Sequence, residues 1–183
     1  MFERRLRTTW TLGLCLVLAG VACGRGGAAD AQASPRTYVS TVCGAVLDWK
    51  SVIEVRSSAL IGEDDSVANT MAYFNRVLGD TDAMVAGIRR AGTPELANAP
   101  ALQSHLMGQA TALRAALARS AHDTSLAADQ VAAVKRVELT VTSEVSAVRA
   151  ELPRSSDPVL SRAARAAFNC HQLFRKPPIG IGA

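Results

Sequence analysis

The sequence predicts an all-α domain, an up-down antiparallel bundle of four to five helices, and three observations predict it. From residue 36 to about residue 175 the apolar residues recur at steps of three and four, the helical period, and never settle into strand-like alternation. Stop and start residues cut this run into segments of helix length. Two cysteines, Cys43 and Cys170, stand near its opposite ends, where the first and last helices of an antiparallel bundle come side by side.

Tyr38, Val42, Val46, Trp49, Ile53 and Leu60 mark one face of a first helix that stops near Gly62. The second carries the most regular stripe: Val67, Met71, Phe74, Leu78, Thr81, Val85 and Ile88 alternate steps of four and three, a heptad pattern. Asp64, Asp65 and Ser66 supply its cap and favourable charge at its start, and Gly92-Thr93-Pro94 ends it. A third face runs through Leu102, Leu106, Ala110, Leu113 and Leu117. His122 to Ser125 reads as a turn or as a continuation of the same helix, which leaves four against five helices open.

Val131, Val134, Val137, Val141, Val145, Val148 and Leu152 define the next helix, ended by Pro153. So many valines suit a strand by propensity, but the steps of three and four decide for helix. Ser156-Asp157-Pro158 is a cap followed by proline in the first turn. Leu160, Ala164, Ala167, Cys170 (or His171) and Phe174 then face inward from a last helix, and residues 176–183, with Lys176-Pro177-Pro178, form a disordered tail.

The chain begins differently. Arg4, Arg5 and Arg7 precede an uncharged, mostly apolar run from Trp10 to Val21, and small residues follow. A basic start, a short apolar run and a small-residue boundary make an export signal, and the run is shorter than the ~20 residues a spanning helix needs. Leu18-Ala19-Gly20-Val21-Ala22-Cys23 resembles the bacterial lipobox. That resemblance implies a signal over residues 1–22 and a diacylglycerol on Cys23 as the first mature residue, two chains being what firm anchoring requires. Gly20 stands where the pattern usually carries Leu, Val or Ile; looser versions accept a small residue. An ordinary signal peptide, cut near Ala22 or after Ala29 or Ala31, is the alternative, and the protein is then secreted. Residues 23–35, small and polar, read as the lipidated cysteine and a flexible tether to a helical domain over 36–175.

Counting from Cys23, 161 residues remain, a one-domain length able to bury a core. Without Glu3, Arg4, Arg5 and Arg7 the 20 basic and 16 acidic residues become 17 and 15, so the pI near 9.2 overstates how basic the working chain is. With no basic run longer than Arg89-Arg90, nucleic acid is not an expected partner. Arg outnumbers Lys 17 to 3, a bias in keeping with GC-rich genomes. Cys15 leaves with the signal and Cys23 takes the lipid, so Cys43 and Cys170 remain, and two cysteines in an exported chain form a disulfide.

No catalytic template is complete. The serines lack a GxSxG elbow; His105, His122 and His171 are isolated; and no HExxH, paired CxxC or CxxCH occurs, so neither a metal nor covalently attached haem is expected. Asp80 and Asp82 fail as a calcium loop, which wants glycine and glutamate where Val85 and Ala91 stand, and they read as a solvated face. The carboxylates fall on outer faces or caps. Tyr73, Phe74, Met71, Met84 and Met107 read as core. The candidate binding pair is Asp48 beside Trp49, an aromatic next to a carboxylate on a bundle helix, with burial of Trp49 as core the competing reading.

Cys23, then Cys43 with Trp49, then the alanine-rich approach to Cys170 together resemble the small lipoproteins of actinobacteria. The resemblance implies an extracytoplasmic location on the outer face of the cell membrane and carries no activity, no cofactor and no catalytic residue. The expected function is a non-enzymatic binding module that meets an envelope protein or a small molecule. The alternative is a carrier holding a hydrophobic small molecule in a bundle cavity near Trp49. An envelope enzyme would need converging carboxylates.

Overall fold

The computed structural model describes residues 32–175, and it is an all-α bundle. The lipobox and Cys23, with the rest of residues 1–22 and most of the tether, lie outside the described residues, as does the tail over 176–183.

Four long helices form the bundle: α1 (Pro35–Ile61), α2 (Val67–Arg90), α3 (Ala99–Ala121) and α5 (Gln130–Glu151). Each begins where local chemistry favours it. Ser34 Oγ accepts from the Thr37 N–H and Pro35 fills the first turn of α1. Ser66 caps α2 through the Asn69 N–H, and Asp129 caps α5 through the Ala132 N–H. The helix start at Pro35 and a pairing of Ala33 with Thr93 and Glu95 shorten the expected tether, whose last residues belong to the folded domain.

The contacts between helices give the up-down order. Ser57 late in α1 meets Tyr73 early in α2, while Ala33 lies beside the turn that follows α2. Tyr38 donates to Gln103 and Gln103 donates to the Ile88 carbonyl, joining the start of α1, the end of α2 and the start of α3. His105 early in α3 meets Glu151 at the end of α5, and Gln130 at the start of α5 donates to the Asp64 carbonyl. One end of the bundle thus holds the chain entry, the α2–α3 loop and the α5 C-terminus. The other holds the α1–α2 loop and the single-turn α4 (Thr124–Ala127). Gly92, at φ +70, makes the sharp exit from α2 that a side chain would strain.

The predicted final helix is broken. α6 (Pro158–Ala166), capped by Asp157 through the Val159 and Leu160 N–H groups, ends at an extended Ala167 (φ −79, ψ 123), and α7 (Phe168–Phe174) restarts at once. No glycine or proline marks the break. It turns Cys170 and Leu173 onto α1, where Asn169 Nδ2 donates to the Ser40 carbonyl. Cys170, not His171, faces inward, and it is bonded to Cys43 with the Cα atoms 5.0 Å apart.

The core runs through all four long helices, closed between Tyr38 and Leu173. The α1 face expected from the sequence is buried in full. The α2 stripe is not. Val67 and Met71 are 51% and 47% exposed, and Thr70, Tyr73 and Val77 take their places. A seven-residue repeat drifts ~20° per heptad on a straight 3.6-residue helix. Over the three heptads from Ile88 back to Val67 that becomes roughly 60°, enough to carry the stripe's first two residues out of the core while Phe74 stays buried. Val131, in the first turn of α5, is likewise exposed.

Candidate functional site

Trp49 follows Val46 by three residues on the inward face of α1, which buries it to 3% exposure. Its indole Nε1 donates to Thr81 Oγ1 on α2 at 3.0 Å, and Thr81 donates to the Val77 carbonyl at 2.7 Å. Asp48, about 100° round the helix, stands in solvent. The two halves of the candidate pair therefore part: Trp49 is a core residue with its polar atom already satisfied, and Asp48 sits on the rim above it.

A groove of about 210 Å³ between α1 and α2 joins them. Small residues set its depth: Gly87 lies so close to α1 that a Cβ there would stand 2.6 Å from the Ala45 Cβ. Its charged rim is Asp48, Asp80 and Arg90. Asp80 is half-buried and holds Arg56 through both carboxylate oxygens, so it is not the free solvated residue expected; the hydrogen bond keeps the guanidinium's pKa above its ordinary value. Asp82 pairs with Arg114, whose hydrogen bonds hold the carboxyl below its usual range.

A second cleft, of about 410 Å³, opens at the chain-entry end between Leu96, Leu102, His105, Glu151, Ser155 and Leu160. Here sequence reasoning missed a contact. His105, read as isolated, has Nε2 3.2 Å from Glu151 Oε1 and 2.9 Å from Gln109 Nε2. Histidine, carboxylate and serine thus share a cleft. Ser155 Oγ, however, accepts from the Asp157 N–H, and among the described residues no hydrogen bond joins His105 to a serine, the contact that a nucleophile and its base would need.

Glu144 corrects the expectation that carboxylates lie outside. It is 4% exposed on α5, seven residues before Glu151 and so on the same face, and burial pushes its pKa up to about 7. Its only sequence signal is position: Glu144 stands three residues after Val141 and four before Val148, inside the buried stripe. Tyr73, bonded to Ser57, is pushed up to about 12, chiefly by burial.

Among the described residues no group of three or more His, Cys, Asp or Glu side chains is placed to hold a metal, and no helix is long and apolar enough to cross a membrane. Comparison with family models, with curated proteins and with solved structures finds no match for this chain.

Proposed function

We propose that this chain is an extracytoplasmic lipoprotein, anchored to the outer face of the cell membrane through Cys23, whose bundle is a non-enzymatic binding module. The observation that carries the reading is the Cys43–Cys170 bridge, which closes 127 residues of sequence separation across the buried core. Such bonds persist in oxidising compartments, and the basic-apolar-small start of the chain is an address to one. The resemblance to small actinobacterial lipoproteins supports the same placement.

The carrier alternative draws little from the groove beside Trp49. Sites that enclose a drug-sized molecule occupy ~300–1,000 Å³, and this groove, at about 210 Å³, is smaller. Its walls of Ala45, Ala83 and Gly87 beneath a charged rim suit the docking of a single side chain or small polar group better than the enclosure of a lipid.

Intact mass of the membrane fraction tests the anchor, wild type beside Cys23→Ala, before and after reduction. A diacylglyceryl mass on a chain beginning at Cys23, with a gain of two hydrogens on reduction, is expected. An unlipidated chain recovered from the medium would overturn the anchor and favour secretion.

A further inference from the structure

We infer that the chain-entry end of the bundle is a docking surface for an anionic phospholipid membrane. The inference rests on the lipoprotein reading for which membrane is at hand and for which end the tether brings within its reach.

The fold sorts its charges by end. Arg36 in the first turn of α1, Arg89 and Arg90 in the last turn of α2, Arg154 after α5, and Arg162 and Arg165 on α6 gather at the end where the chain enters. All six are exposed, and among the described residues none is paired with a carboxylate. The carboxylates at that end are already engaged or few: Asp157 caps α6, Glu151 meets His105, and Glu95 stands in the α2–α3 loop. The opposite end is reversed. Its two connections, residues 62–66 and 122–129, carry Glu63, Asp64, Asp65, Asp123 and Asp129 with no lysine or arginine, His122 standing among them. The basic side chains near that end stand on the helices: Arg119 in the last turn of α3, and Arg136, close enough to Asp123 to add to the lowering of its pKa by the Ser125 hydrogen bonds.

This charge axis points the right way. Ala33 is fixed beside Thr93 at the basic end, so any anchor at Cys23 hangs from that end. Ten residues of fully extended chain reach ~33–36 Å, and α1, with 27 residues, is ~40 Å long. The tether is therefore too short for the bundle to stand upright on its acidic end, while the basic end can always reach the lipid. Two exposed apolar residues accompany the arginines: Val159, three residues before Arg162, and Phe168, 71% exposed and three residues after Arg165. Arginines on the amphipathic α6, with an exposed aromatic at the start of α7 just beyond it, combine the charge and the apolar surface that favour a headgroup layer.

The test uses residues 23–183 with Cys23→Ser, which keeps the whole core and the disulfide but carries no lipid. Sedimentation with vesicles of mixed phosphatidylglycerol and phosphatidylcholine is compared with pure phosphatidylcholine, at low and high salt. Binding to the anionic vesicles alone, lost at high salt, is expected. The triple variant Arg154→Gln, Arg162→Gln, Arg165→Gln lowers that binding by roughly tenfold or more, since each arginine near such a surface is worth about fivefold. A matched triple away from that end, Arg119→Gln, Lys135→Gln, Arg136→Gln, leaves it unchanged, and circular dichroism confirms that both variants fold. Phe168→Ser weakens vesicle binding and not binding to soluble polyphosphate. Equal binding to neutral vesicles, equal losses in the two triples, or a preference for polyphosphate that ignores Phe168 would each overturn the proposal. Because the tested chain has no lipid, failure here leaves the anchor standing, and failure of the anchor leaves this result standing.

Discussion

The indole Nε1 of Trp49 donates to Thr81 Oγ1 across 3.0 Å in the interior between α1 and α2. With Trp49 almost fully buried, water cannot replace that acceptor. Thr81→Val keeps the shape and orphans the N–H, so stability should fall by about 1–3 kcal/mol, while Thr81→Ser retains the bond and most of the stability. Urea unfolding followed by the tryptophan signal measures both. Equal stability of Thr81→Val and wild type would mean that the bond carries no weight.

Gly87 sets how closely α1 and α2 approach. A methyl group at Gly87 would stand 2.6 Å from the Ala45 Cβ, and neither is the flexible end of a long side chain. Gly87→Ala should therefore separate the helices and cost about 1–3 kcal/mol, despite alanine's better helix propensity. Ala45→Gly in the same chain removes the opposing methyl and should recover most of the loss. A double-mutant cycle without coupling between the two sites would contradict the close approach.

The Cys43–Cys170 bond ties α7 to the first half of α1 across a sequence separation of 127 residues. The chain-entropy model assigns a loop of that length about 5 kcal/mol, an upper figure for a real bond. Cys43→Ala with Cys170→Ala should lower the unfolding free energy measured in urea by an amount approaching that value, and reduction of the wild type should do the same. Unchanged stability on reduction would show that the packing of Leu160, Ala164 and Leu173 holds the C-terminal pair by itself.

What the sequence makes legible is whatever depends on neighbours three or four residues away. The caps at Ser66 and Asp157, the break at Gly92, and the inward faces of α1 and α3 all follow from local chemistry and period. The end-to-end cysteines add one long-range fact, and it holds. What escapes depends on how covered each flank is. The α2 stripe is regular at Val67 and Met71, but regularity does not say where a straight helix drifts out of contact. The bend at Ala167 has no breaker residue to announce it, and beyond it Cys170 and Asn169 meet α1 at Cys43 and Ser40. The meeting of His105 with Glu151, 46 positions apart, exists only because α3 and α5 run antiparallel. The placing of Trp49 in the core and Asp48 on the rim was legible as a choice, and both residues line the groove between α1 and α2.

Glu144 gives the fold a pH dependence whose sign can be worked out. Burial raises its pKa from 4.5 to about 7, so the folded chain holds a proton there that the unfolded chain releases near pH 4.5. Between those values the unfolded state binds fewer protons than the folded state, and stability falls as pH rises, levelling off once the folded group has ionised. The neighbouring charges do not relieve it: Glu151 lies two turns along the same face and is engaged with His105, and one Glu144 oxygen lacks a hydrogen-bond partner. Glu144→Gln keeps the size and removes the ionisation. The variant should match the wild type near pH 4.5 and exceed its stability above pH 7, by at most about 3 kcal/mol. Denaturant unfolding of both chains across that range reads the difference directly. Parallel pH profiles would mean that Glu144 reaches solvent or a partner in solution, and that the α3–α5 seam opens around it.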